Sequence, residues 1–152
     1  MEDLIYKDIK NIFKGNNPPY AYLFMDDLDK NIDMSLKRAG DKQIRVATKS
    51  VRSFQVLEYI CQKLGDRCSG LMCFHLDEIL WLSDKMKTSF LMGYPQRPTD
   101  HQAEQIAAKI KQGHEIVFMA DSKEQLEHLN QLAQKYHTKF SYCIDLDMSL
   151  RL

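Results

Sequence analysis

Charge of one sign is missing from this chain. Its 152 residues carry 21 Lys+Arg against 21 Asp+Glu, a formal net charge of zero. It therefore has no basic field of the kind that draws a protein to nucleic acid or to an anionic membrane surface. Long apolar runs are missing too, and none approaches the roughly 20 residues that a membrane-spanning helix needs. The N-terminus opens Met1-Glu2-Asp3, without the apolar stretch of a secretory signal, and a cytoplasmic location is the expectation. No C-x-x-C pair occurs among Cys61, Cys68, Cys73 and Cys143, and no His/Cys spacing matches a zinc site, so no metal is expected. Cys61 fits the apolar face of a helix, and Cys73 and Cys143 sit in apolar strand-like runs. They read as buried, reduced thiols. What remains is ordinary globular composition, 44% hydrophobic and 28% charged, in a chain long enough for one domain with a core.

Periodicity organises that composition. A polar leading segment, helical over about Asp3–Lys14, ends at Asn16-Asn17-Pro18-Pro19, giving an N-terminal helical and linker region over 1–18. Strand signals then follow at Tyr20–Met25, Gln43–Thr48, Ser69–Phe74, Ser89–Met92, Glu115–Ala120 and Lys139–Leu146. Helices with a 3.6-residue apolar stripe fall between them. One runs from Asp27 to Ala39 before Gly40. The next carries Phe54, Leu57, Cys61 and Leu64 and stops at Gly65. Leu76–Lys85 is a third. Capping boxes at Thr99-Asp100-His101-Gln102 and Ser122-Lys123-Glu124-Gln125 open the last two.

Six strands alternating with five helices predict an α/β fold of six parallel β/α units over 19–152, with right-handed crossovers and both sheet faces covered. Two architectures satisfy the pattern. One is an incomplete (β/α)8 TIM-type barrel, since a whole barrel needs about 250 residues. The other is an open doubly wound sheet. A last strand with no covering helix after it is the mark of the barrel piece.

Within this frame Lys49 stands out. The run Ile44-Arg45-Val46-Ala47-Thr48-Lys49 puts an amine at the C-terminal end of a strand, the end at which parallel α/β folds place their chemistry. Period two sets Arg45, Ala47 and Lys49 on one face. A desolvated lysine there, with lowered pKa, can form a Schiff base with a carbonyl cofactor. The plainer alternative is a lysine that starts a solvated loop.

Five stretches of the chain resemble the N-terminal barrel domain of the alanine racemase and D-threonine aldolase superfamily. Asp26, Leu28 and Asn31 match its D-L-D-x-L-x-x-N opening, with Phe24 in place of the first acidic residue. Arg45 and Lys49 match the R-P-H-x-K of the aldolase branch, although Val46 and Ala47 replace Pro-His. Leu76-Asp77-Glu78-Ile79 is similar to L-G-E-A, Leu91-Met92-Gly93-Tyr94-Pro95 to the end of the fourth strand, and Asp121-Ser122-Lys123-Glu124-Gln125-Leu126 to D-S-x-E-Q-L. The resemblance implies a pyridoxal 5'-phosphate cofactor held by Lys49 as an internal aldimine, with the cofactor acting as electron sink. It also implies an arginine near the pyridine nitrogen, for which Arg151 is the candidate, although the spacing of Asp145 to Arg151 is one residue longer than the family's and its glycine is absent.

Other residues carry two readings each. Arg45 either hydrogen-bonds the cofactor or a neighbouring side chain, or forms an interior ion pair with Asp26 or Asp145. Arg52 either reaches a phosphate or is a solvated helix arginine. His75 and Tyr94 follow the third and fourth strands at the catalytic rim, as cofactor contacts or as structural loop residues. Asp145 and Asp147 face one side of the last strand, as a carboxylate pair or as caps. His101, His114, His128 and His137 read as surface residues.

Three functions follow. The first is the cofactor-anchoring part of a lyase or isomerase acting on a small amino-acid-like substrate, by Cα proton abstraction or retro-aldol cleavage. The second is a non-catalytic cofactor-binding protein of vitamin B6 balance. The third is an open α/β domain that binds a partner or ligand. A compact monomer is expected of the third, and aggregation or a homodimer of a cut barrel.

Overall fold

A computed structural model describes residues 6–148. The chain divides into two compact units, Met1–Asn31 and Ile32–Leu152.

In the first unit, helix α1 covers Tyr6–Ile12. The expected strand at Tyr20–Met25 does not form. Residues 20–24 have no regular structure, and Met25 is drawn into helix α2, Met25–Ala39, whose first turn the Phe24 carbonyl receives from Leu28 N–H at 3.0 Å. The reason is physical. An aromatic at every second position reads as a strand, but a strand exists only if a neighbour completes its ladder. Here the aromatics serve one another. Tyr20 stacks on Phe13 at 4.3 Å, and Tyr22 meets Phe24 edge-on at 5.5 Å. Asp26 and Asp27 sit at the positive end of the α2 dipole, and Lys37 and Arg38 at its negative end.

In the second unit, β1 (Ile44–Ala47), β2 (Cys68–Cys73), β3 (Phe90–Met92), β4 (Ile116–Ala120) and β5 (Ser141–Ile144) form one parallel sheet. Helices α3 (Phe54–Leu64), α4 (Leu76–Ser83), α5 (Asp100–Lys111) and α6 (Lys123–Lys135) connect them. Strand order is β1-β2-β3-β4-β5. A doubly wound sheet reverses its order at a switch point; this one never does. It is therefore a partial TIM-type barrel of five strands instead of six, and the sheet is not closed.

Register shows which face the helices cover. Leu71, Phe90 and Ile116 are paired neighbours, as are Cys73 and Met92. All five are buried, and with Phe118, Leu57, Leu76, Ile79, Leu82, Ile106 and Leu129 they make the core. The alternate residues, Met72, Leu91, Val117 and Met119, are only partly buried. The expectation that both faces are covered is thus not met. The helices bury one face, while the other is the concave side of an open barrel wall. At the β5 edge every strand residue is exposed, Cys143 included, so of the four thiols only Cys73 is buried. Among the described residues no helix is long and apolar enough to cross a membrane.

Candidate functional site

The parallel sheet brings all its C-terminal ends to one rim, and the residues after β1, β2, β3 and β4 meet there. β1 ends at Ala47, two residues earlier than a period-two reading through Lys49 requires. Thr48–Ser50 is a 3-10 turn. Thr48 anchors it. Its side chain is fully buried, and its hydroxyl donates to the Met72 carbonyl of β2 at 3.3 Å. Lys49 is therefore aimed by the turn rather than by strand alternation. It is exposed rather than desolvated, and its ammonium lies 4.9 Å from the centre of the Phe74 ring, a cation–π contact.

Phe74, the residue after β2, was not among the residues the sequence singled out, yet it is the best tied residue of the rim. Its N–H donates to Glu78 at 3.2 Å, and its carbonyl accepts from the Gln96 amide at 3.1 Å. The Gln96 carbonyl in turn accepts from Gln125 at 3.0 Å. The same Gln125 amide donates to Met119 O at 2.9 Å, and its oxygen accepts from Asp121 N–H at 3.2 Å. Buried Gln125 thus braces the loops after β2, β3 and β4. The second capping box is only half formed for this reason. Ser122 accepts from Gln125 N–H, but the Gln125 side chain is spent on the loops. The box at Thr99 and Gln102 is complete.

His75 and Tyr94 both reach the rim and both are exposed. His75 is the N-cap residue of α4 without a side-chain cap bond, and Tyr94 lies two residues before Gln96. Arg45 goes elsewhere. From the concave face its guanidinium crosses β2 and donates to Leu71 O and Ser89 O, each at 3.3 Å, and to the Ser89 hydroxyl at 3.2–3.3 Å. Its partners are a strand carbonyl and the residue preceding β3, at the opposite end of the sheet from Lys49, rather than a carboxylate. Asp145 and Asp147 follow β5 instead of lying in it, and Asp145 N–H donates to Ala120 O at 2.8 Å. Arg151 lies outside the described residues. Two histidines read as surface are partly buried. His128 bonds the Pro98 carbonyl at 3.0 Å, and His114 lies beside Phe90.

Under the rim, burial pushes the Cys73 thiol up to about 12, with the Glu78 charge adding to the effect, so it is a packing residue at neutral pH. Among the described residues no group of three or more His, Cys, Asp or Glu is placed to hold a metal ion. A surface groove between α6 and the β5 edge is lined by Leu126, Leu129, Ala133, Phe140 and Tyr142. It holds none of the candidate residues, so chemistry rather than volume marks the site.

The brace makes a stability prediction. Gln125→Ala strands the Gln96 and Met119 carbonyls and the Asp121 N–H, and the expected cost is about 2 kcal/mol. An unfolding free energy within about 0.5 kcal/mol of the parent, measured by denaturant titration, would remove Gln125 from this role.

The family model described as alanine racemase, N-terminal domain matches residues 24–152. No curated protein matches the chain by sequence. Similar solved structures include D-threonine aldolase from Filomicrobium marinum, with a TM-score of 0.75 and 16% identity, covering 88% of this chain and 35% of that one. D-threo-3-hydroxyaspartate dehydratase from Delftia sp. HT23 gives 0.72 and 16%, covering 86% and 34%. An alanine racemase-like protein from Idiomarina loihiensis gives 0.66 and 19%, covering 79% and 31%. The chain spans about a third of the length of each.

Proposed function

The chain belongs to the alanine racemase N-terminal domain family, and from that premise we propose that it is the cofactor-anchoring part of a pyridoxal 5'-phosphate enzyme, with Lys49 as the anchoring amine. The observation that carries this reading is the exposed Lys49 ammonium at the C-terminal rim of a parallel sheet, held against Phe74. The donor set fits such a group: a primary amine that can condense with an aldehyde, beside an imidazole and a phenol at the neighbouring strand ends. When bound, the cofactor supplies an electron sink for negative charge at the substrate Cα.

This chain's own residues do the rest. The buried Thr48 hydroxyl fixes the turn that aims Lys49. The Phe74 face holds its ammonium without sequestering it in an ion pair. His75 and Tyr94, both exposed, are the rim groups available to hold or pass a proton beside a bound substrate. Arg45, spent on Ser89 and Leu71, keeps the first three strands in register and is a structural residue in this reading. The substrate class is a small amino acid, attacked either at the Cα proton or at the Cα–Cβ bond. Two structures of the same fold are named for β-hydroxy-D-amino acids, and that analogy favours a 3-hydroxy substrate. A cytoplasmic setting suits the four free cysteines.

Titration with pyridoxal 5'-phosphate, followed by visible absorption, tests the reading. A band that saturates at one equivalent per chain is expected. A response that rises without saturation, or no response, would contradict it.

A further inference from the structure

Two cysteines whose spacing suggests nothing meet in the fold. Cys61 lies near the end of α3, and Gly65, at a φ of +53°, turns the chain out of the helix. The 3-10 turn Gly65–Arg67 brings it back so that β2 opens with Cys68. The turn leaves the two thiols close enough to act on each other's titration. They also line one shallow surface depression, with Glu58, Gln62, Lys85 and Lys87 around it. Both are partly exposed, whereas Cys73 is buried. Their chemistry is unequal. The neighbouring Cys61 thiol lowers the Cys68 thiol to about 6, and the Gly70 N–H and the Arg45 charge add to this against desolvation. The same neighbour effect and burial push the Cys61 thiol up. Neither residue belongs to the rim that carries Lys49, because Cys68 opens its strand at the opposite end of the sheet.

We propose that Cys61 and Cys68 form an oxidant-responsive dithiol, a modification site that takes hydroperoxides, with Cys68 as the attacking sulfur and Cys61 as the resolving one. In the first step Cys68 Sγ, as thiolate, attacks one peroxide oxygen. An S–O bond forms, the O–O bond breaks, and the departing oxygen takes a proton from water. The sulfur is oxidised by two electrons to a sulfenic acid, and the peroxide is reduced to an alcohol, or to water for hydrogen peroxide. In the second step Cys61 Sγ attacks Cys68 Sγ. The S–S bond forms, the S–O bond breaks, and the departing hydroxide leaves as water with the Cys61 proton. Two thiols and one hydroperoxide thus give one disulfide, one alcohol and one water. A disulfide needs an S–S distance of about 2.05 Å, and two thiols that line one depression across a three-residue turn are placed to close it. Exposed Cys143 has no such partner in the sequence around it and serves as the internal reference.

The test treats the whole chain with hydrogen peroxide, blocks remaining thiols by alkylation in denaturant, and maps the tryptic peptides over time. Peptides 53–63 and 68–85 are expected to become joined, with fragmentation placing the link at Cys68 and not at Cys73. The link is expected to form at least about tenfold faster than Cys143 is oxidised. Failure of that link to form, or formation no faster than Cys143 oxidation, would overturn the proposal. The measurement needs no variant, so it stands whether or not a cysteine substitution folds. In Cys61→Ser, dimedone is expected to trap a sulfenic acid on Cys68. Label on Cys143 with none on Cys68 would contradict the assignment of the attacking sulfur.

Discussion

Gly70→Ala is expected to destabilise the protein by about 4 kcal/mol, combining a strained backbone angle with a forced overlap. Gly70 has a φ of +109°, and a Cβ there lies 2.1 Å from the Ser89 carbonyl oxygen and 2.9 Å from its carbon. Those are backbone atoms that cannot swing aside. The same oxygen accepts the Leu71 N–H at 2.9 Å and an Arg45 donor at 3.3 Å. Displacing Ser89 therefore loosens the β2–β3 junction and removes the groups that hold Arg45. For a chain of this length the thermal midpoint should fall by roughly 12 °C. At Gly93, by contrast, a Cβ meets first the Met72 side chain at 2.5 Å. A methionine can repack, so Gly93→Ala should cost clearly less. Equal midpoints for the parent and Gly70→Ala, measured by calorimetry, would mean that the crossing of Arg45 over Gly70 is not built as described.

The second large effect is chemical. Lys49→Arg keeps the positive charge and a contact with Phe74, but a guanidinium stays protonated and does not condense with an aldehyde. The cofactor-dependent visible band should disappear, with apparent affinity for the cofactor falling by at least about tenfold. Stability should hardly move, by under about 0.5 kcal/mol, because an exposed side chain with one ring contact is being exchanged for a similar one. Loss of the band with an unchanged midpoint separates a chemical role from a structural one. A band that persists in Lys49→Arg would assign the anchor to another lysine.

The alternation of strands and helices was readable from the sequence because burial of one helix face and one sheet face leaves periods of 3.6 and 2 in the chain. The helix over Phe54–Leu64 and its end at Gly65 follow from that pattern alone, as does the capped start of α5 at Thr99. The strand at Tyr20–Met25 was not readable in the same way. Its alternation is real, but strand formation depends on a ladder partner, and here the aromatics pack on one another and on Phe13. Lys49 could be placed at a strand end from sequence, yet its setting could not, since the turn that aims it rests on a Thr48 bond to a different strand. The brace through Gln96 and Gln125 joins residues 22 and 29 positions apart, and no local pattern encodes it. The glutamine at the third helical position even invites a capping reading that the structure half refuses. The thiol pair is similar. Only the turn at Gly65–Arg67 makes Cys61 and Cys68 neighbours, and the spacing of seven has no motif attached to it.

Lys49 is where sequence, fold and family membership converge, and one measurement addresses it most directly. The protein is incubated with pyridoxal 5'-phosphate, reduced with borohydride and digested with trypsin. The account predicts that the label sits on Lys49 alone, in a peptide spanning residues 46–52 that trypsin no longer cuts at that lysine. Label spread over surface lysines in proportion to their exposure, with no enrichment at Lys49, would contradict it.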